Sequence, residues 1–156
     1  MIPRIADVLI ALPDAFFLIE IKVPEAAAPL RRVIEAAGAA DRCIVESFHD
    51  GASAAFAGSA IAWGASQRDV VRLLPRAVLH LAAPRLPFRF MAVPLRHGVF
   101  PVPVSGLIAA TRTVGAPVHV WTIDEPVVAE RLWRLGVTGI ISNDPGPMLA
   151  VRGRAA

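Results

Sequence analysis

The sequence is short of several features that would place it quickly. It has one cysteine in 156 residues, so neither a disulfide framework nor the ligand spacing of a zinc site is available. That residue, Cys43, lies in the apolar run Cys43–Val45, where a buried core thiol is the expected state. Aromatic residues make up 6% of a chain that is 55% hydrophobic, so the core must be built from Ala, Val, Leu and Ile. No run of about 18 or more apolar residues occurs. The longest uncharged stretch, 51–67, is broken by Gly51, Ser53, Gly58, Ser59, Gly64 and Ser66, and a membrane span is not expected. Asp7, Pro13 and Asp14 interrupt the first apolar region, which does not read as a signal peptide; a cytoplasmic location is the default expectation. The dinucleotide fingerprint GxGxxG and the phosphate loop GxxxxGK(S/T) are both missing, which lowers the nucleotide-binding options.

Charge is scarce as well. The net charge is +3, and arginines such as Arg4, Arg42, Arg68, Arg112 and Arg152 are scattered along the chain. Without a basic stripe interleaved with stacking aromatics, nucleic acid is not an expected partner. Lysine is scarcest of all: of 16 basic residues, only Lys22 is a lysine. Ammonium and guanidinium differ in size and hydration, so a bias that replaced lysine everywhere else but spared this position points to a specific need for an ammonium there.

What is present is rhythm. Short apolar runs alternate with helical patterns about every 25 residues. The expected strands are Phe17–Lys22, Arg42–Ser47, Ala60–Trp63, Phe90–Val93, Val118–Thr122 and Gly139–Ser142. The expected helices are Pro24–Ala37, Gly51–Phe56, Gln67–Leu81, Ser105–Val114 and Asp124–Leu135, with a helix-like run at Ile5–Leu12 and another short helix after Asp144. Asp124 reads as an N-cap, Pro126 as a first-turn proline and Gly136 as a helix stop; Gly38 closes the first long helix in the same way. Pro84–Pro103 reads as one strand flanked by long loops. The strands are apolar on both faces, as in a parallel sheet covered by helices, and the pattern fits one α/β domain over 1–156. A continuous β–α–β order leaves an open doubly wound sheet or a closed barrel, and six strand–helix units are two short of the eight that close a barrel.

The candidate chemistry sits at strand ends. Alternation puts Glu20 and Lys22 on one face, about 7 Å apart along the strand, with Ile19 and Ile21 on the other. In a barrel that charged pair points inward at the C-terminal mouth, where barrel enzymes keep their reactive groups. A carboxylate there can hold a hard cation and an ammonium can neutralise a phosphate; an ion pair that plugs the barrel end is the alternative. In Val118–Thr122, His119 and Trp121 share a face, with Trp121 a candidate pocket wall and His119 a core histidine one layer deeper. Ser142-Asn143-Asp144-Pro145 is either a helix cap or a polar rim beside a site.

Five segments taken together resemble the glycerophosphodiester phosphodiesterase family. They are Ile2–Leu9, Ile19-Glu20-Ile21-Lys22, Ser47-Phe48, His119-Val120-Trp121-Thr122-Ile123-Asp124 and Gly136–Pro145. The resemblance implies an incomplete TIM (β/α)8 barrel whose six units are strands 3 to 8 of the family fold. It implies a phosphoric diester hydrolase that converts a small-molecule glycerophosphodiester to glycerol 3-phosphate and an alcohol. On the same footing, Glu20 matches a ligand of the divalent metal (Ca²⁺ or Mg²⁺), Lys22 the active-site lysine near the phosphate, and Trp121 a pocket residue on the glycerol side. The family's His-Arg-Gly strand end, its Glu-x-Asp metal motif and its His-Asp pair do not occur; His49-Asp50 stands in the wrong context to serve as that pair. This implies an N-terminally truncated family domain that is inactive alone and binds its cation weakly. The alternatives are a non-catalytic half-barrel module completed by another chain, and a different phosphate-handling enzyme that shares only the fold. Open edges at Phe17–Lys22 and Gly139–Ser142 are expected to favour self-association.

Overall fold

The computed structural model describes residues Ile2–Gly153. The chain divides into two compact units, one reaching to Asp69 and the other starting at Val70.

The first unit contains α1 (Ile5–Ala11), β1 (Phe17–Glu20), α2 (Ala27–Ala36), β2 (Cys43–Glu46), α3 (Asp50–Ala54), β3 (Ala62–Trp63) and the start of α4 (Gln67–Val78). Its strands form a parallel sheet in the order β1-β2-β3. Helix α2 is led in by a 3₁₀ turn, Pro24–Ala26, and buries Ala27, Leu30 and Ile34, the i, i+3, i+7 stripe of a helix lying on a core. That stripe joins Ile21, Cys43, Val45, Phe56 and Ile61 in one apolar cluster. Cys43 is therefore the core thiol that the sequence suggests, and burial pushes its pKa up. Gly38, at φ +60°, stops α2 as expected. One basic residue is structural: the Arg42 guanidinium donates to the carbonyls of Leu9, Leu12 and Ala15 at 2.8, 3.0 and 3.2 Å. It thereby satisfies the Leu9 carbonyl, which the end of α1 leaves without a helical partner, together with two carbonyls of the connection to β1, and it lies 5.6 Å from the Phe17 ring centroid.

The second unit contains the rest of α4, then β4 (Met91–Pro94), β5 (Arg96–His97), β6 (Phe100–Pro101), α5 (Val104–Thr111), β7 (Val118–Trp121), α6 (Pro126–Leu135), β8 (Gly139–Ile140) and α7 (Pro145–Arg152). Strands β4, β7 and β8 form a second parallel sheet in that order. Odd-numbered Met91, Val93 and even-numbered Val118, Val120 are buried, so each strand turns one apolar row inward. Helix α5 approaches α4 so closely that a Cβ on Gly106 would lie 2.1 Å from the Ala77 carbonyl oxygen.

All six expected strands are present and pair in parallel, shared between two three-stranded sheets, and all the expected helices form. β1 and β8, the strands expected to be open, each lie at an edge of their own sheet. Two local expectations need correction. Pro84–Pro103 holds more than one strand: after β4 the chain makes an antiparallel hairpin, β5–β6, because Gly98 at φ +59° supplies the turn. Asp124 is not the cap of α6; that position belongs to Glu125, and the Asp124 carboxylate is engaged elsewhere.

Candidate functional site

Glu20 ends β1 and Lys22 follows two residues later. Ile21 between them is 3% exposed and anchored on the helix side, and its N–H donates to the Glu46 carbonyl at 2.8 Å. This fixes the alternation, so Glu20 and Lys22 share the face away from that core. Lys22 Nζ donates to Glu20 Oε2 at 2.6 Å, with the Lys22 side chain 75% and the Glu20 side chain 28% exposed. The other Glu20 oxygen, Oε1, is buried and has no hydrogen-bond partner.

The pairing of β1 with β2 adds a residue that the sequence did not offer as a candidate. Glu20 lies directly opposite Glu46, and register partners in a parallel pair project to the same face. Burial, and then repulsion from Glu20, raises the Glu46 pKa to about 6, with the Lys22 ammonium opposing. Ser47 comes next and is 4% exposed. Its hydroxyl donates to the Ile21 carbonyl at 2.8 Å and accepts from the His49 N–H at 3.1 Å, so the loop after β2 is stitched to the backbone just before Lys22. His49 itself is exposed, and Asp50 meets Arg68 at 3.9 Å on the surface; neither belongs to this cluster. Two carboxylates, one with an unpartnered buried oxygen, stand beside an ammonium, and these are the donor types that a hard cation and a phosphate oxyanion respectively take. Calcium takes about 6–8 oxygen ligands. Among the described residues no group of three or more His, Cys, Asp or Glu side chains converges, so Glu20 and Glu46 fit as part of a cation site and not as a whole one.

The second unit carries the remaining candidates. Trp121 ends β7 opposite Pro94 of β4 and is partly exposed; the peptide bond that follows it is cis. His119 shares its face, one pleat deeper. The His119 ring packs 5.3 Å from the Phe90 ring and against Gly139 of β8, where a Cβ would come within 2.7 Å of it. Burial lowers its pKa, which favours the neutral packed imidazole expected for a core residue. At the loops beyond β7 and β8, Asp124 Oδ1 accepts from Ser142 Oγ at 2.9 Å and from the Asn143 N–H at 2.8 Å, while Oδ2 accepts from Asn143 Nδ2 at 2.9 Å. These bonds, the one from the Asn143 side chain foremost, hold the Asp124 pKa below the usual carboxylate range. Asp144 stands at the N-cap position of α7 without a side-chain capping bond. The Ser142-Asn143 pair is therefore tied to Asp124 and supplies no side-chain cap to α7. An apolar groove of about 430 Å³, lined by Thr111, Val118, Leu135 and Thr138 among others, lies at the other end of β7 from Trp121.

Three comparisons bear on these clusters. The sequence profile described as "Glycerophosphoryl diester phosphodiesterase family" matches residues 8–147. A Mycobacterium tuberculosis protein named "Probable glycerophosphodiester phosphodiesterase 2" is 33% identical over 156 aligned residues, which cover 91% of this chain and 56% of that protein. The crystal structure of glycerophosphodiester phosphodiesterase from Agrobacterium tumefaciens matches with a TM-score of 0.68 at 18% identity, covering 98% of this chain and 63% of that one. That of a glycerophosphodiester phosphodiesterase from Parabacteroides distasonis matches with a TM-score of 0.64 at 18% identity, covering 97% and 63%. At such identities the structural likeness speaks to the α/β fold of parallel strands and helices. The chain spans a little over half the length of the curated relative it matches.

Proposed function

The chain belongs to the glycerophosphoryl diester phosphodiesterase family, and from that premise we propose that it carries part of a metal-assisted phosphodiesterase site that cleaves glycerophosphodiesters to glycerol 3-phosphate and an alcohol. In this reading the two sheets are successive portions of one (β/α)8 barrel, strands 3 to 8, and 1–156 is one barrel domain. The observation that carries the reading is the Glu20–Lys22 pair, 2.6 Å apart at the C-terminal end of β1, with Glu20 Oε1 buried and unpartnered.

Glu20 would hold the divalent cation, Ca²⁺ or Mg²⁺, through that oxygen. When bound there, such a cation would supply Lewis-acid polarisation of the phosphoryl group. Lys22 donates from its ammonium to a phosphate oxygen, and Glu20, 2.6 Å away, aims that ammonium. Ser47 positions Lys22 by holding the Ile21 carbonyl. Trp121 forms a wall for the glycerol moiety. Among the 156 residues no His-Arg-Gly or Glu-x-Asp occurs, so these groups neither complete a cation shell nor supply the family's proton donor. Loss of a positioned acid alone costs about 10²–10⁴-fold in rate.

The test is release of glycerol 3-phosphate from glycerophosphocholine with Ca²⁺ or Mg²⁺. The 156-residue chain alone is expected to stay at background. A mixture with a polypeptide that carries the His-Arg-Gly and Glu-x-Asp strands is expected to turn over, and Glu20→Ala or Lys22→Ala is expected to abolish that turnover. Hydrolysis by the chain alone that survives Glu20→Ala overturns the assignment.

A further inference from the structure

From Val70 to Ile123 the chain contains no acidic residue, while Arg72, Arg76, Arg85, Arg89, Arg96 and Arg112 all lie in that span. The remaining residues together carry a net negative charge, so the modest overall value of +3 hides a strongly basic middle. The β5–β6 hairpin lies within this span. Arg96 pairs with Pro101 and His97 with Phe100, leaving Gly98 and Val99 as a two-residue turn. Gly98 at φ +59° supplies the positive φ that the first central position of a type II′ turn demands. Arg96 Nη2 donates to the Val99 carbonyl at 2.6 Å, and the Val102 N–H donates to the Leu95 carbonyl at 3.0 Å, so the hairpin is closed at tip and base. It nevertheless presents its largest apolar groups to water: Val99 and Phe100 are each 74% exposed.

We propose that this hairpin is an anchor for an anionic lipid surface, with Val99 and Phe100 entering the acyl boundary and Arg96 lying at the depth of the lipid phosphates. An exposed aliphatic–aromatic tip with a guanidinium beside it suits interfacial insertion, and the Arg96 cation suits the potential of an anionic leaflet. Charge complementarity selects the occupant. A nucleic acid would use the cations and could stack on Phe100, but it gives Val99 no partner. A second copy of the chain would gain two side chains, far less than the roughly 800 Å² per partner of a stable protein interface. The hairpin starts two residues after Pro94, the register partner of Trp121, so it leaves the same end of its sheet as Trp121. The proposal needs nothing from the phosphodiesterase reading, and its test does not use activity.

The test is co-sedimentation of the full chain with vesicles of phosphatidylcholine alone and of phosphatidylcholine mixed with phosphatidylglycerol. Binding to the mixed vesicles, weakened by added salt and much lower on neutral ones, is the expected result. Val99→Ser with Phe100→Ser is expected to lower the partition coefficient about 10–100-fold, and Arg96→Gln about 5-fold. Should the double variant melt differently from the parent, Phe100→Trp gives an independent readout: its added emission is expected to shift to the blue on mixed vesicles. Four results overturn the proposal: no sedimentation with either vesicle, undiminished binding by a well-folded double variant, an unshifted emission from the Phe100→Trp variant, and tip-dependent self-association or RNA binding without lipid association.

Discussion

Glu46 makes the most quantitative demand on the site. Its carboxyl lies against Glu20 in register, and its pKa is raised to about 6 from an ordinary 4.5. A difference of about 1.5 pKa units corresponds to about 2 kcal/mol between the protonation states. Glu46 keeps some contact with water, and screening reduces that to about 1 kcal/mol. The sign follows from linkage: the folded pKa exceeds the unfolded one, so the favourable contribution is complete below about pH 4.5 and is lost as pH rises through about 6. Above that pH the folded chain carries a carboxylate that burial and Glu20 both disfavour. Glu46→Gln keeps the shape and removes the charge. Urea denaturation without divalent cations should show the variant more stable than the parent by about 1 kcal/mol at pH 7.5, with the difference closing towards pH 4.5. A stability difference that stays flat across this range, or a variant weaker at pH 7.5, would refute the Glu20–Glu46 geometry.

Three further outcomes follow from contacts described above. Gly106→Ala should destabilise by about 1–2 kcal/mol in the same assay, because overpacking against the Ala77 carbonyl costs about 1–3 kcal/mol and the better helix propensity of alanine returns only about 1; a neutral result would mean that α4 and α5 stand farther apart. Ser47→Ala should cost about 1–3 kcal/mol by leaving the Ile21 carbonyl and the His49 N–H without their shared partner, which thermal melts would show. Asp124→Ala should speed hydrogen exchange at the Asn143 amide while leaving the amides of β4 protected; and because the Asp124 pKa is depressed, the parent's own protection there should fail only as pH drops below the ordinary carboxylate range.

The fold was legible where the signal is local and repeated. Ile19 and Ile21 alternating with Glu20 and Lys22 announce both a strand and its faces, and the Pro126 and Gly136 punctuation brackets α6 correctly. Glu46 was not legible, because its role depends on which residue of β1 it faces, and register across a parallel pair is set by packing of Val45 and Ile21 and not by nearby sequence. Asp124 was misread for a related reason. It has the composition of an N-cap, but its true partners, Ser142 and Asn143, lie 18 and 19 residues away. The hairpin at Gly98 hid among the prolines of its segment, although a glycine between short apolar runs is itself a turn signal.

Arg42 imposes an order of events on the growing chain. The carbonyls of Leu9, Leu12 and Ala15 lie 33, 30 and 27 residues ahead of it. A ribosome adding about 5–20 residues per second leaves them without this partner for about 1–7 s. Over that interval the end of α1 must bond to water, and only when Arg42 emerges can the same guanidinium that marks the onset of β2 close it. Helix and strand pair are thus joined in time as well as in space: α1 must wait for β2 before it can dock.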